Sequence, residues 1–344
     1  MLSLSLENNR KQSNLHQHKN AAVKEMTYIH KSKEENQSNR TSTSSNDSLS
    51  TNANSYVEEE RPFTKTSISP LDSPISSLPQ FKTLEPSLLN SNYKQVIKEE
   101  QINNHHLYLN YSSLNINEAH RAILIDWLVN VHLFMNFSDE CLFLSVKIVD
   151  LFLSKVHSFH KSKLQLLGLV AILLSSKFIE SCHPYMDDLC SLCDNAYTEK
   201  EIRVFEREVL KTLDYSIEQD PIVNFFDMLC LIFKFNLNEY YMGKYLLELT
   251  LLDSSFYKYR RTLLAFSVVY IVMKMNLERH SNYKECFSYL KNKESTEAQM
   301  KMCGKQILHI MDKTKETNQY TSSLQKLNLK IKEKKQEEDV EMIL

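Results

Sequence analysis

Glycine is nearly missing from this chain. Of 344 residues only Gly168, Gly243 and Gly304 are glycine, and they lie too far apart to build a phosphate cradle. Neither G-x-G-x-x-G nor G-x-x-x-x-G-K occurs, which removes nucleotide chemistry on a Rossmann or P-loop scaffold. Net charge is almost absent too, at -2. There is no basic stripe for nucleic acid or for an anionic membrane surface, so neither is expected as a partner. H-E-x-x-H and G-x-S-x-G are missing, as is any carboxylate pair that the sequence can fix in space, so neither catalysis nor a cofactor is expected. The first residues lack the basic start and apolar stretch of a secretory signal. Seven cysteines is an odd count, which suits reduced thiols in a protein of the nucleus and cytoplasm. No apolar run is expected to span a membrane, because Lys177 and Glu180 end the longest one.

What remains is material for helices. With 42% hydrophobic residues, little glycine and few prolines beyond residue 90, the chain is expected to be all-α. Residues 118–135 (E-A-H-R-A-I-L-I-D-W-L-V-N-V-H-L-F-M) hold no Gly or Pro. On a helix turning about 100° per residue their apolar side chains point almost every way, so the helix must be surrounded by protein. It still carries Arg121 and Asp126, roughly 140° apart on the wheel, and each needs a partner from another segment or a route to water. Ser138 with Asp139 and Glu140 predicts the start of a second helix, through about Ser154. A third, again apolar on all sides, runs from about Lys163 to Ile179. A short one spans Pro184 to Leu192, and Thr198 with Glu201 makes a capping box for a fifth that ends near Leu213.

The pattern then restarts. Asp220-Pro221 opens one helix and Asn238 with Glu239 the next. Arg261 to Lys274 echoes the third helix, with Lys274 standing where Lys177 stood. Asn282 to Leu290 and Ser295 to Asp312 complete a second set. The echo implies two tandem five-helix units of about 100 residues each, unless it is only the likeness of two buried helices. The expected organisation is a disordered Ser/Asn/Thr-rich arm (1–90), an amphipathic docking helix region (91–114), two helical units (115–216 and 217–320) and a polar, solvated tail (321–344). Within the arm, Ser69-Pro70 and Ser73-Pro74 are minimal proline-directed phosphorylation sites or else ordinary linker dipeptides.

Two charges stand out. Glu206 falls within the face made by Ile202, Phe205, Val209 and Leu213, and Lys177 shares the direction of Leu166, Val170 and Leu173. Such charges are costly on apolar faces. They pair at a surface that another protein later covers, or Lys177 snorkels at its helix end and Glu206 sits at a rim. Cys190-x-x-Cys193 near Cys182 has zinc-ligand spacing, yet no second C-x-x-C supplies the other ligands, and free Cys is a common core residue. No metal is therefore expected; an α-helical metalloprotein using those thiols is the reading that zinc analysis would test.

His120 to His132, H-R-A-I-L-I-D-W-L-V-N-V-H, resembles the M-R-A-I-L-[IV]-D-W-L signature of the cyclins. K-L-Q-L-L-G (Lys163 to Gly168), S-S-K-F-I-E (Ser175 to Glu180) and C-D-N-A-Y-T (Cys193 to Thr198) resemble the same family, most closely its B-type mitotic members, over roughly residues 93–325. The resemblance implies two cyclin folds and a non-catalytic role as activating subunit of a cyclin-dependent protein kinase. It implies that Lys177 and Glu206 pair and grip the kinase, with Phe178, Ile179 and Glu180 facing it, and that Asp150 holds Arg121. It also implies a groove for short substrate docking motifs at His120, Ile123, Leu124, Trp127, Asn130 and Gln165. The chain departs from the family at His120, where Met is usual, at Asn130, where an acid or Gln is usual, and at Ile179, where an acid is lost. Its arm holds no R-x-x-L destruction box. The rival reading is a cyclin-fold adaptor that binds transcription or scaffold proteins without activating a kinase.

Overall fold

A computed structural model describes residues 73–78, 81, 109, 111, 114–218, 222–284 and 293–341. Expectations for Ser69, for most of 91–114, for the Asp220-Pro221 cap and for residues 285–290 lie outside the described residues.

Among the described residues there are ten α-helices and no strand. The first five are α1 (Glu118–Met135), α2 (Asp139–Lys155), α3 (Leu164–Ile179), α4 (Met186–Leu192) and α5 (Glu199–Thr212). After them come α6 (Ile222–Ile232), α7 (Leu237–Leu249), α8 (Arg261–Met275), α9 (Lys293–Thr317) and α10 (Ser322–Glu341). Short 3-10 turns at Thr250–Leu252 and Ser254–Lys258 join α7 to α8.

The caps explain the boundaries. Ser138 accepts from the N–H of Cys141 and opens α2. Thr198 and Glu201 satisfy each other's backbone N–H at the start of α5. At α7 the capping residue is Asn236 and not Asn238. A capping box needs the acid three positions after the cap, and Asn236-x-x-Glu239 has that spacing.

The helices α3 and α8 are the buried poles of the two units. Leu167, Leu169, Val170 and Ile172 of α3 are fully buried, as are Leu264, Phe266, Val268 and Val269 of α8. Packed residues replace lipid around α3: Lys161–Ile179, with mean hydropathy 1.5, is long and apolar enough to cross a membrane, contrary to expectation, but 72% of that stretch is buried inside the fold. Close approach of α1 to α3 requires Gly168, where a Cβ would come within 2.8 Å of Leu124 Cδ1 and 3.2 Å of Trp127 Cζ3.

The tandem repeat is also written in the turns. Asn136 after α1 and Lys234 after α6 both take φ 54. In each case a phenylalanine follows and donates its N–H five residues back, Phe137 to the carbonyl of His132 and Phe235 to that of Cys230. A capping residue then starts the next helix.

Two segments expected to be loose are packed. Residues 321–344 were expected to form a solvated tail, yet Ser322–Glu341 is helix and lies against α1 and α7. Leu324, Leu327 and Ile331 supply its apolar stripe. In the arm, Ile75, Leu78 and Phe81 are buried on the second unit. Three apolar side chains at helix-like spacing give this stretch something to bury that its polar surroundings lack.

Candidate partner interface

α3 is buried through Ser176 and then surfaces at Lys177. α5 is amphipathic, with Ile202, Phe205 and Val209 inward, and carries Glu206 at the rim of that face. The two ends meet: Lys177 Nζ lies 2.7 Å from Glu206 Oε1, with the side chains 37% and 13% exposed. The pair is therefore formed but not sealed beneath the protein's own helices. Beside it Phe178 is 55% exposed, a large apolar side chain in water at the end of a core helix. Ile179 is half-buried. Glu180 turns back instead, and its Oε1 accepts from Ser138 N at 2.8 Å and Ser138 Oγ at 2.7 Å, holding the turn between α1 and α2.

Arg121 and Asp150, 1% and 0% exposed, form a two-pronged ion pair with both contacts at 2.7 Å. Arg121 also donates to the carbonyl of Leu251 at 2.8 Å, and Tyr257 donates to Asp150 Oδ2, the oxygen that Arg121 Nη2 also contacts. Burial pulls the guanidinium pKa down, but Asp150 outweighs it and leaves it raised. The partner that α1 demanded thus comes from α2, with two further groups from the second unit. Asp126 finds its own partner in the N–H of Ser322, at 3.1 Å, so it sits at the positive end of α10. Burial raises the Asp126 carboxyl pKa.

The residues of the expected groove divide into two buried and four half-buried side chains. Leu124 and Trp127 are fully buried, and Trp127 Nε1 finds no acceptor among the described residues. His120 is taken up in the cap of α1, its Nδ1 accepting from Asn117 N, and burial lowers its pKa, with Lys161 adding to the effect. Asn130 donates to Ser322 Oγ at 2.6 Å. Ile123 and Gln165 are half-buried.

One charged cluster was not found from the sequence. Lys326 of α10 reaches Asp139 at 2.6 Å and also donates to Glu248, while Lys244 of α7 pairs with Asp227 at 2.8 Å and Asp139 at 3.3 Å. Burial alone would raise the Asp139 carboxyl, but the two lysines hold it well below the usual carboxylate range. Asp139, Lys244, Glu248 and Lys326 border a cleft of about 290 Å³, where α2, α7, α10 and the arm residue Leu78 meet. The signal that could have found it is the stripe of Leu324, Leu327 and Ile331, which marks α10 as a docked helix that must carry Lys326 inward.

Among the described residues the six cysteines are unpaired, and no group of three or more His, Cys, Asp or Glu could hold a metal ion. Cys193 is buried and hydrogen-bonded to the carbonyl of Cys190 at 3.2 Å.

Residues 91–218 match the family model "Cyclin, N-terminal domain" and residues 223–343 match "Cyclin, C-terminal domain". The chain is 35% identical over 177 residues to the G2/mitotic-specific cyclin-B of Arbacia punctulata, covering 51% of this chain and 43% of the relative. It is 38% identical over 156 residues to Cyclin-B2-1 of Oryza sativa subsp. japonica, covering 45% and 37%. The chain thus spans less than half the length of either relative. A viral cyclin from herpesvirus saimiri shares the fold, with a TM-score of 0.55 at 17% identity, covering 65% of this chain and 97% of that one.

Proposed function

The chain belongs to the cyclin family, and we propose that it is the activating regulatory subunit of a cyclin-dependent protein kinase acting in G2 and mitosis, in the nucleus and cytoplasm. The observation that carries this is the open pair Lys177–Glu206 beside exposed Phe178. A charged pair on otherwise apolar helix faces, left half in water next to a bare phenylalanine, is a surface suited to being covered.

The chemistry belongs to the kinase. A protein kinase needs a Lys–Glu ion pair between its β3 strand and αC helix and a placed activation loop. A partner that binds the inward αC better than the outward one shifts that equilibrium, by no more than its differential affinity. A stable complex of this kind buries on the order of 2,000 Å² or more. Substrate docking on α1 is the second part of the proposal. It requires Ser322 to yield Asn130 and the groove to open over Trp127, whose buried Nε1 would then have a peptide carbonyl to donate to.

The test mixes the purified full chain with a monomeric cyclin-dependent kinase and follows phosphate transfer to a protein substrate. Activation by orders of magnitude supports the proposal. Tight binding with unchanged activity favours the adaptor reading.

A further inference from the structure

The arm residues Ser73 to Leu78 lie against the turn between α6 and α7. Ser73 accepts from the N–H of Leu237 at 3.0 Å, and Ile75 donates to the carbonyl of Phe235 at 3.1 Å, with Pro74 opposite Asn236. Three side chains anchor the stretch: Ile75 at 2% exposure, Leu78 at 6% and Phe81 at 5%, the last edge-on to Tyr240 at 5.8 Å. The backbone bonds are strand-like and join segments more than 150 residues apart in sequence. Ser73, a half-buried residue at the start of this contact, precedes a proline.

We propose that residues 73–78, together with Phe81, are a detachable strap on the second unit, and that Ser73 is a proline-directed phosphorylation site open only when the strap is off. A kinase must enclose the acceptor hydroxyl together with the residues on either side of it, so that the oxygen lines up with the transferred phosphoryl group. Ile75 is two residues away and buried, and the carbonyl of Ser73 is already bonded to Leu237. Docking and modification therefore exclude each other.

Once made, the phosphate keeps the strap away. It carries close to two negative charges; the α7 N-terminus alone would attract them, but that edge already holds an anion. Two first-turn N–H groups of α7 are already taken, Leu237 by Ser73 itself and Glu239 by Asn236 Oδ1. The carboxylate of Glu239, 2% exposed, lies at the same edge, accepting from Asn236 N at 2.9 Å. Its cationic neighbours Arg279 and His280 face it already, at 3.4 and 3.0 Å. A second anion there would be desolvated and repelled. Release uncovers Tyr240 and removes Leu78, one wall of the cleft beside Lys244 and Lys326.

The test uses the full chain, an active proline-directed kinase and mass spectrometry of both Ser-Pro sites, with Ser69 as internal reference. The ratio of Ser73 to Ser69 phosphorylation rates is expected to be at least tenfold lower in the folded chain than in a synthetic peptide of residues 66–80. Ile75→Glu should restore the peptide's ratio, and Leu78→Glu serves as a second release variant. Equal ratios in chain and peptide would overturn the proposal. In stoichiometrically phosphorylated protein the Leu237 amide should exchange with solvent at least tenfold faster; unchanged protection there would overturn the lock.

Discussion

Lys326 Nζ, on the last helix, lies 2.6 Å from Asp139 Oδ1, at the first turn of the second helix, across a separation of 187 residues. The last helix is thus tied to the first unit through a largely buried charge cluster, with Glu248 as the third member. Burial pulls the Lys326 pKa down, and the two carboxylates more than restore it.

Removing that lysine leaves Glu248 without its cation and Asp139 with Lys244 alone, at 3.3 Å. Lys326→Met is expected to destabilise the protein by about 3–5 kcal/mol, the range for stripping one partner from a buried ion pair. Urea unfolding monitored by circular dichroism checks it. A loss below about 1 kcal/mol would mean that α10 is a dispensable tail.

Arg121→Met should be as damaging, by about 3–5 kcal/mol, because it strips Asp150 of its counter-charge, leaving only the Tyr257 hydroxyl, and the Leu251 carbonyl of its donor. Pairing it with Asp150→Leu should recover part of that loss, since an apolar pair needs no counter-charge. The same denaturant titration reads both.

His132 makes stability fall with acid. Burial pushes its imidazole down to about 4, against about 6.5 in an unfolded chain. The unfolded state therefore takes up a proton as pH drops below 6.5 while the folded state does not until about 4, so stability is complete above 6.5 and is lost through this window. From pH 7.5 to pH 5 the loss from this group is about 2 kcal/mol. His132→Phe should remove that part of the slope, and unfolding free energies at the two pH values measure it.

Lys177 and Glu206 should behave in the opposite way. Their pair is partly in water, so Lys177→Ala or Glu206→Ala should change stability by no more than about 1 kcal/mol while reducing kinase activation at least tenfold. Thermal unfolding and a kinase assay on the same preparations separate the two effects. A variant that keeps full activation would place the interface elsewhere.

Helix starts were legible wherever a short polar side chain and an acid three residues later stood before an apolar run, as at Thr198. They were misplaced where two asparagines competed for that role, and Asn236 took the cap from Asn238 because only it has Glu239 at the right distance. The misfit of Arg121, Asp126, Lys177 and Glu206 with apolar surroundings was readable from periodicity alone. Their partners were not all readable, because Leu251, Tyr257 and Ser322 reach them only through tertiary packing. The last helix is hard to see in the sequence because its dense charge masks the spacing of Leu324, Leu327 and Ile331. Ser73 was visible as a dipeptide, but nothing local announces that its carbonyl meets Leu237.

The guanidinium of Arg121 is riveted on one side to Asp150 of the first unit and on the other to the Leu251 carbonyl of the second. Rocking one half against the other would strip a fixed charge of its ligands with no solvent at hand to replace them. A partner docking on the Lys177 edge, as proposed, would therefore meet an anvil rather than a hinge, and any reshaping would fall to the newcomer.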